Sequence, residues 1–135
     1  MKGSLLCTVL AAAGVLLAAA PGGAHHSFAA VFDETKPVTV TGIISEVRLE
    51  NPHSWFYVDV TDPNGKVTRW GFEGNTPTSL IRAGYKRDSI KVGDKVTIKG
   101  SRARDLTANM GAVREIILAD GRSVIVGPRG AADAN

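Results

Sequence analysis

Clusters of turn-forming residues limit the length of every element in this chain. Asn51-Pro52, Asp62-Pro63-Asn64-Gly65, Val92-Gly93-Asp94 and Asp120-Gly121 fall between runs of alternating apolar and polar residues. That is the pattern of short, half-buried strands joined by tight turns. With 15 glycines and 6 prolines in 135 residues, a coiled coil and a collagen-like chain are excluded. The length is enough for one domain and too little for a multi-domain enzyme.

Val38–Leu49 reads as the first strand. Val38 and Val40 share one face, whereas Val47 and Leu49 lie in the opposite phase. The alternation slips near Gly42 to Ile44, which predicts a bulge or a sharp bend. Ser54–Val60 follows, with Phe56, Val58 and Val60 on one face and Trp55 and Tyr57 on the other. Pro63 presets one turn angle and Gly65 accepts a positive φ, so this strand should form a hairpin with Lys66–Phe72, in which Trp70 and Phe72 share a face. Thr76 as cap, Pro77 at the first helical position and Gly84 as the stop predict a short helix. Lys95–Arg102, with Val96 and Ile98 inward, leads through the polar loop Arg104–Gly111 into Ala112–Leu118. The Asp120-Gly121 pair then turns the chain into Ser123–Val126.

This order predicts an all-β domain, a small OB-fold-like barrel of five to six strands with one short helix between strands three and four. The alternative is an open β-sandwich. The barrel is expected over residues 38–126, after an N-terminal arm at 25–37 and before a disordered tail at 127–135.

Residues 1–24 have a different composition. Lys2 supplies a positive start, Leu5–Ala20 is almost wholly apolar, and Pro21-Gly22-Gly23-Ala24 ends the run. This is the layout of a secretory signal peptide, and Gly22 and Ala24 suit a cut after Ala24. The apolar run is short for a membrane span, which takes about 20 residues. The chain after the cut would begin at His25. Its formal charge would fall from +3 to +2 with the loss of Lys2, and the one cysteine, Cys7, would leave with the peptide. The expectation is a periplasmic or secreted protein with no disulfide, no cysteine-based zinc site and no membrane span after processing. So small a charge gives no argument for nucleic acid as a partner.

The three histidines are His25, His26 and His53. A free α-amine and Nδ1 of the same N-terminal imidazole can chelate one metal ion, and a nitrogen from His53, or from His26, would complete a nitrogen-rich site suited to Cu(II). Against this, His25 and His26 can be a solvated end, and His53 a loop residue bonded to backbone. Asn51-Pro52-His53-Ser54-Trp55 is the most distinctive run. Asn51, His53 and Trp55 there can form a polar pocket with an aromatic wall. Glu73, at the end of the third strand between Gly71 and Gly74, can join the same rim as a ligand-handling carboxylate. The bland readings are a turn cap for Asn51, core or surface packing for Trp55 and a solvated loop charge for Glu73. Arg82, Lys86, Arg87, Lys91, Lys95 and Lys99 are interrupted by Asp88 and Asp94 and read as a solvated face. No nucleophile elbow, phosphate loop, H-E-x-x-H motif or catalytic carboxylate pair is present.

His-His-Ser-Phe at His25 to Phe28, Lys-Pro-Val-Thr at Lys36 to Thr39, Asn51 to Trp55, the Trp-x-Phe-Glu run Trp70 to Glu73, and Gly93 to Val96 together carry a resemblance. The chain resembles a family of short exported bacterial proteins described only as a domain of unknown function. The resemblance implies a periplasmic OB-like domain and supplies no catalytic residues. The favoured reading is therefore an exported binding domain rather than an enzyme. A small ligand or a periplasmic protein would sit at the rim formed by Asn51, His53, Trp55 and Glu73. The alternative is a copper protein that uses His25 with His53.

Overall fold

The structure, a computed structural model, describes residues 28–127. It is mostly β, with six strands in one sheet. A four-residue helix α1 (Phe28–Val31) leads into β1 (Phe32–Arg48). β2 (Trp55–Thr61), β3 (Val67–Glu73) and helix α2 (Pro77–Arg82) follow, and β4 (Lys95–Ala103), β5 (Met110–Leu118) and β6 (Ser123–Ile125) complete the elements of the described residues. Strand order is β3-β2-β1-β4-β5-β6, and all these neighbours are antiparallel. β3 also pairs with β5, in parallel, through Gly71↔Met110, Phe72↔Gly111 and Glu73↔Ala112. The ladder β1-β2-β3-β5-β4 therefore returns to β1, which serves both β2 and β4 along its 17 residues.

The phase change in β1 has a local cause. Its register against β2 shifts between Ile44 and Glu46. The extra residue, Ser45, moves the core side from even positions (Val38, Val40, Ile44) to odd ones (Val47, Leu49). Gly42 has a separate role: a Cβ there would lie 2.4 Å from the Asp59 carbonyl oxygen, so only glycine permits this approach of β1 to β2. β1 begins at Phe32, ahead of the expected Val38. A second register shift, between Asp33 and Pro37 against β4, absorbs the polar stretch that hides this start in the sequence.

The β2–β3 hairpin follows its turn chemistry. Gly65 has φ 84°, and Asp62 Oδ1 accepts from the backbone N–H of Asn64 at 2.8 Å and of Lys66 at 2.9 Å. Helix α2 starts where expected. Thr76 Oγ1 accepts from the Ser79 N–H at 3.1 Å, and Gly84, at φ 93°, donates to the Ile81 carbonyl.

The core joins Ile44, Phe56, Val58, Phe72, Leu80, Val96, Ile98, Val113 and Ile116, all at most 1% exposed. Tyr85 and Ile90, in the connection after α2, belong to it as well. Trp70 shares its face with Phe72, their ring centroids 5.9 Å apart, but is only partly buried and sits at the core margin under the Arg102 guanidinium, 4.3 Å from the ring centroid. A smaller cluster of Phe32, Ala103 and Ala112, with Phe28, Val31 and Met110 against it, fastens α1 to the ends of β4 and β5. Gly127, counted from sequence with the tail, is buried and donates to the Arg114 carbonyl at 3.2 Å. Residues 1–24, expected from their composition to be a signal peptide, His25 and His26, and residues 128–135 of the expected tail lie outside the described residues.

Candidate functional site

The hairpin turn decides which side chains meet. β2 and β3 pair with Trp55 opposite Glu73, Tyr57 opposite Gly71 and Asp59 opposite Arg69. On the other side of β2, Arg48 pairs with Trp55, Glu46 with Tyr57 and Ile43 with Asp59. Because Phe56 and Val58 point into the core, these residues form three rows across the opposite face. The rows are Arg48, Trp55 and Glu73; Glu46, Tyr57 and Gly71; and Ile43, Asp59 and Arg69.

His53 reaches this face from the β1–β2 loop. Its Nδ1 lies 2.5 Å from Glu73 Oε1, with 36% of the His53 side chain and 22% of the Glu73 side chain exposed. The loop is anchored one residue later. Ser54 is fully buried, and both its N–H and its hydroxyl donate to the Asn75 carbonyl, at 3.1 and 2.7 Å. Gly74 returns a bond to the Ser54 carbonyl at 2.8 Å. The start of β2 is thereby tied to the segment after Glu73, which holds His53 and Glu73 together.

Trp55 and Tyr57 are both half-buried, with ring centroids 6.1 Å apart and planes 19° apart. Gly71 lets the rings approach β3: a Cβ there would lie 3.2 Å from Tyr57 Cε1, close enough to push that ring by a few tenths of an ångström, and 3.7 Å from Trp55 Cζ3, an ordinary contact. Arg48 lies over Tyr57, its guanidinium carbon 5.2 Å from the ring centroid. The charges on this face are paired among themselves. Arg48 Nε meets Glu46 at 2.6 Å, and Arg69 meets Asp59 at 3.1 Å and Glu46 at 3.8 Å. The hydrogen bond to Glu46, followed by that carboxylate's charge, raises the Arg48 pKa above its ordinary value.

Of the four rim candidates, the structure brings together His53, Trp55 and Glu73. Asn51 is exposed in a bend of the loop, joined to Pro52 by a cis peptide bond, and is not part of the His53–Glu73 contact. Of the three candidate metal ligands, only His53 is described. Among the described residues no group of three or more His, Cys, Asp or Glu side chains is arranged to hold a metal ion. Sequence reasoning missed Glu46, Arg48, Tyr57, Arg69 and Gly71 as parts of this surface. The alternation in β2 does set Tyr57 beside Trp55, but the β1 and β3 partners depend on register. A separate shallow hollow of about 650 Å³ lies between β1, β4 and β5, where Lys99 and Glu115 pair at 3.8 Å. It shares no residue with the rim. Among the described residues no helix is long and apolar enough to cross a membrane.

No curated protein and no solved structure matches the chain. A family model does, over residues 12–112. With that match over most of its length, the chain belongs to DUF6152, a family of unknown function.

Proposed function

We propose that this chain is an exported, periplasmic binding domain with an OB-like barrel, and that its ligand or partner sits on the outer face of β2 and β3 beside the β1–β2 loop. The return of the strand ladder to β1 and the short helix between β3 and β4 support the barrel reading. The composition of residues 1–24 supports export. The observation that carries the site is the His53–Glu73 contact next to Trp55, which lies directly opposite Glu73 in the hairpin. An imidazole, a carboxylate and an indole at one solvent-facing rim can hydrogen-bond and stack on a small ligand. The arrangement offers no nucleophile with its own base, which favours binding over catalysis.

The test has two stages. The full chain is expressed, cells are fractionated, and the periplasmic form is sequenced from its N-terminus. A chain starting at His25 supports export and the cut after Ala24; an uncut chain confined to the cytoplasm overturns both. The purified protein is then screened by thermal shift against small molecules of different chemical classes. Hits that weaken at least about tenfold in both His53→Ala and Trp55→Ala support the rim. Hits indifferent to both variants move the site elsewhere.

Copper binding is the second reading. A carboxylate on one ring nitrogen of His53 is the arrangement that fixes tautomer and orientation in metal-ligating histidines. His25, with its α-amine and imidazole, would supply the remaining nitrogens, with His26 as a further donor. Cu(II) titration of the processed protein tests it by calorimetry and electron paramagnetic resonance. One-to-one binding with a nitrogen-rich spectrum, lost in His53→Ala, supports this reading. Equal affinity in the variant and the parent overturns it.

A further inference from the structure

The connection from α2 to β4 collects cations without partners. Elsewhere on the surface, Arg48, Arg69, Lys99, Arg104 and Arg122 each meet a carboxylate. Arg82, Lys86, Arg87 and Lys91 are exposed, and among the described residues none of their side chains forms an ion pair or a hydrogen bond. Asp88 and Asp94 interrupt this stretch in sequence, two carboxylates against four cations. Asp94 turns back on its own turn, where Oδ2 accepts from the Lys91 backbone N–H at 2.8 Å. The hydrogen bond from Arg122 to Asp120 raises the Arg122 pKa, and the charges of Asp94 and Asp88 add to that rise, so both carboxylates act on Arg122.

The same connection carries Ile81 and Val92, 65% and 67% exposed, the two most exposed large apolar side chains among the described residues. Its inner side is already used. Leu80, Tyr85 and Ile90 turn into the core. Its far end is tied to β1, where the Gly93 N–H donates to the Ile44 carbonyl at 2.8 Å and the Ile44 N–H to the Asp94 carbonyl at 2.9 Å. The residues between these anchors are therefore held on the outer side. Ile81 precedes Arg82 and Val92 follows Lys91, so each apolar side chain neighbours a cation. That combination fits the boundary of an anionic lipid layer, where cations meet headgroups and apolar side chains enter beside them. A single strand of nucleic acid fits less well. Base stacking needs aromatic rings, and the one aromatic residue of this connection, Tyr85, is buried.

We propose that residues 81–92 dock this protein on an anionic phospholipid surface, with Arg82, Lys86, Arg87 and Lys91 at the headgroups and Ile81 and Val92 inserted among them. The docking surface is separate from the rim and does not depend on what the rim binds.

The test sediments the full-length, naturally processed protein with vesicles of phosphatidylglycerol and phosphatidylethanolamine in equal parts, and with vesicles of phosphatidylcholine alone. Binding to the first and not to the second is expected, weakening as salt is added. Each cation near such a surface is worth about fivefold in affinity, so Lys86→Glu with Arg87→Glu should weaken binding at least about twentyfold. Arg82→Glu with Lys91→Glu is an independent pair with the same expectation. Ile81→Ser with Val92→Ser should weaken binding at least about fivefold. All these positions are exposed, and melting curves check that each variant keeps the fold. No binding to the anionic vesicles, or equal binding by the parent and both charge-reversed pairs, overturns the proposal. Binding lost with the charges but unchanged in Ile81→Ser with Val92→Ser overturns the insertion. Equal binding of the parent to both kinds of vesicle would mean that charge does not direct it, and again overturns the proposal. A single-stranded oligothymidylate is the competing class: if it binds with the same dependence on Lys86 and Arg87 while the vesicles do not, the partner is wrong.

Discussion

Tyr85→Phe should stabilise this protein. Tyr85 lies in the connection after α2, is 7% exposed, and meets the edge of Phe56 at 6.2 Å between ring centroids. Its hydroxyl is buried without a hydrogen-bond partner among the described residues. Leaving such a group unsatisfied costs about 1–3 kcal/mol, whereas the ring's packing is unchanged by the loss of one oxygen. We expect a gain of about 1 kcal/mol near neutral pH. In a domain of this size that raises Tm by roughly 4–8 °C. Burial also pushes the phenol up from its ordinary 10.0 to about 12. Between those two values the folded state holds a proton that the unfolded state has released. The stability tied to the neutral phenol is complete below pH 10 and is lost as pH rises through about 12. The advantage of Tyr85→Phe should therefore widen across that window, by about 2 kcal/mol at its upper end. Urea unfolding of both proteins from pH 7 to 11.5, followed by circular dichroism, measures both effects. A variant less stable than the parent at neutral pH, with an advantage that does not grow with pH, would mean that the hydroxyl is satisfied in the folded protein and the reasoning is wrong.

Four further outcomes can be checked by the same denaturation measurements. Gly100→Ala would bring a Cβ to within 1.9 Å of the Ala112 carbonyl oxygen, so β4 must part from β5; a loss of about 3 kcal/mol or failure to fold is expected, and parent-like melting would contradict the close approach. Ser54→Ala removes the buried hydroxyl that donates to Asn75 at 2.7 Å but leaves the backbone N–H on the same acceptor; about 1 kcal/mol should be lost, and no loss at all would mean the hydroxyl adds nothing to the anchor. Trp70→Ala should cost about 2 kcal/mol, less than the roughly 3–5 of a fully buried ring, because the indole sits at the core margin under Arg102. Glu73→Gln should leave stability within about 0.5 kcal/mol of the parent, because its partner His53 is partly in solvent; a loss above about 1.5 kcal/mol would show the pair to be structural.

The elements most legible in the sequence were those whose boundaries are set by local chemistry. Thr76, Pro77 and Gly84 bracket α2 because a cap, a preset φ and a positive φ need no distant partner. The slip in β1 was legible because a bulge leaves a permanent change of phase, visible in Val38 and Val40 against Val47 and Leu49. Its position was displaced because Gly42 suggested a bend, whereas that glycine answers to the Asp59 carbonyl across the sheet. The start of β1 at Phe32 was hidden by Asp33 to Lys36, a polar run with no alternation, and by a proline at 37 that usually argues against a strand interior. Tyr85 and Ile90 escaped notice because a segment without regular structure has no period to betray which residues turn inward. The β3–β5 pairing joins residues far apart in the chain and leaves no mark in either strand alone.

The rim was more legible than any single motif suggested. The turn Asp62 to Lys66 is centred on Asn64, and an antiparallel hairpin pairs residues at equal distances from its centre. Trp55, which opens β2, must then face Glu73, which closes β3, and Tyr57 must face Gly71. The two distinctive runs, Asn51 to Trp55 and Trp70 to Glu73, are thus halves of one surface. The residue that joins them is a turn glycine at φ 84° far from either. Because strand side chains alternate, a one-residue change in that turn would send Glu73 to the core side and separate it from His53. The same turn that fixes the hairpin register thus also brings Trp55, Tyr57 and Glu73 together, and His53, added from outside the hairpin, is held in reach by the bonds of Ser54 to Asn75.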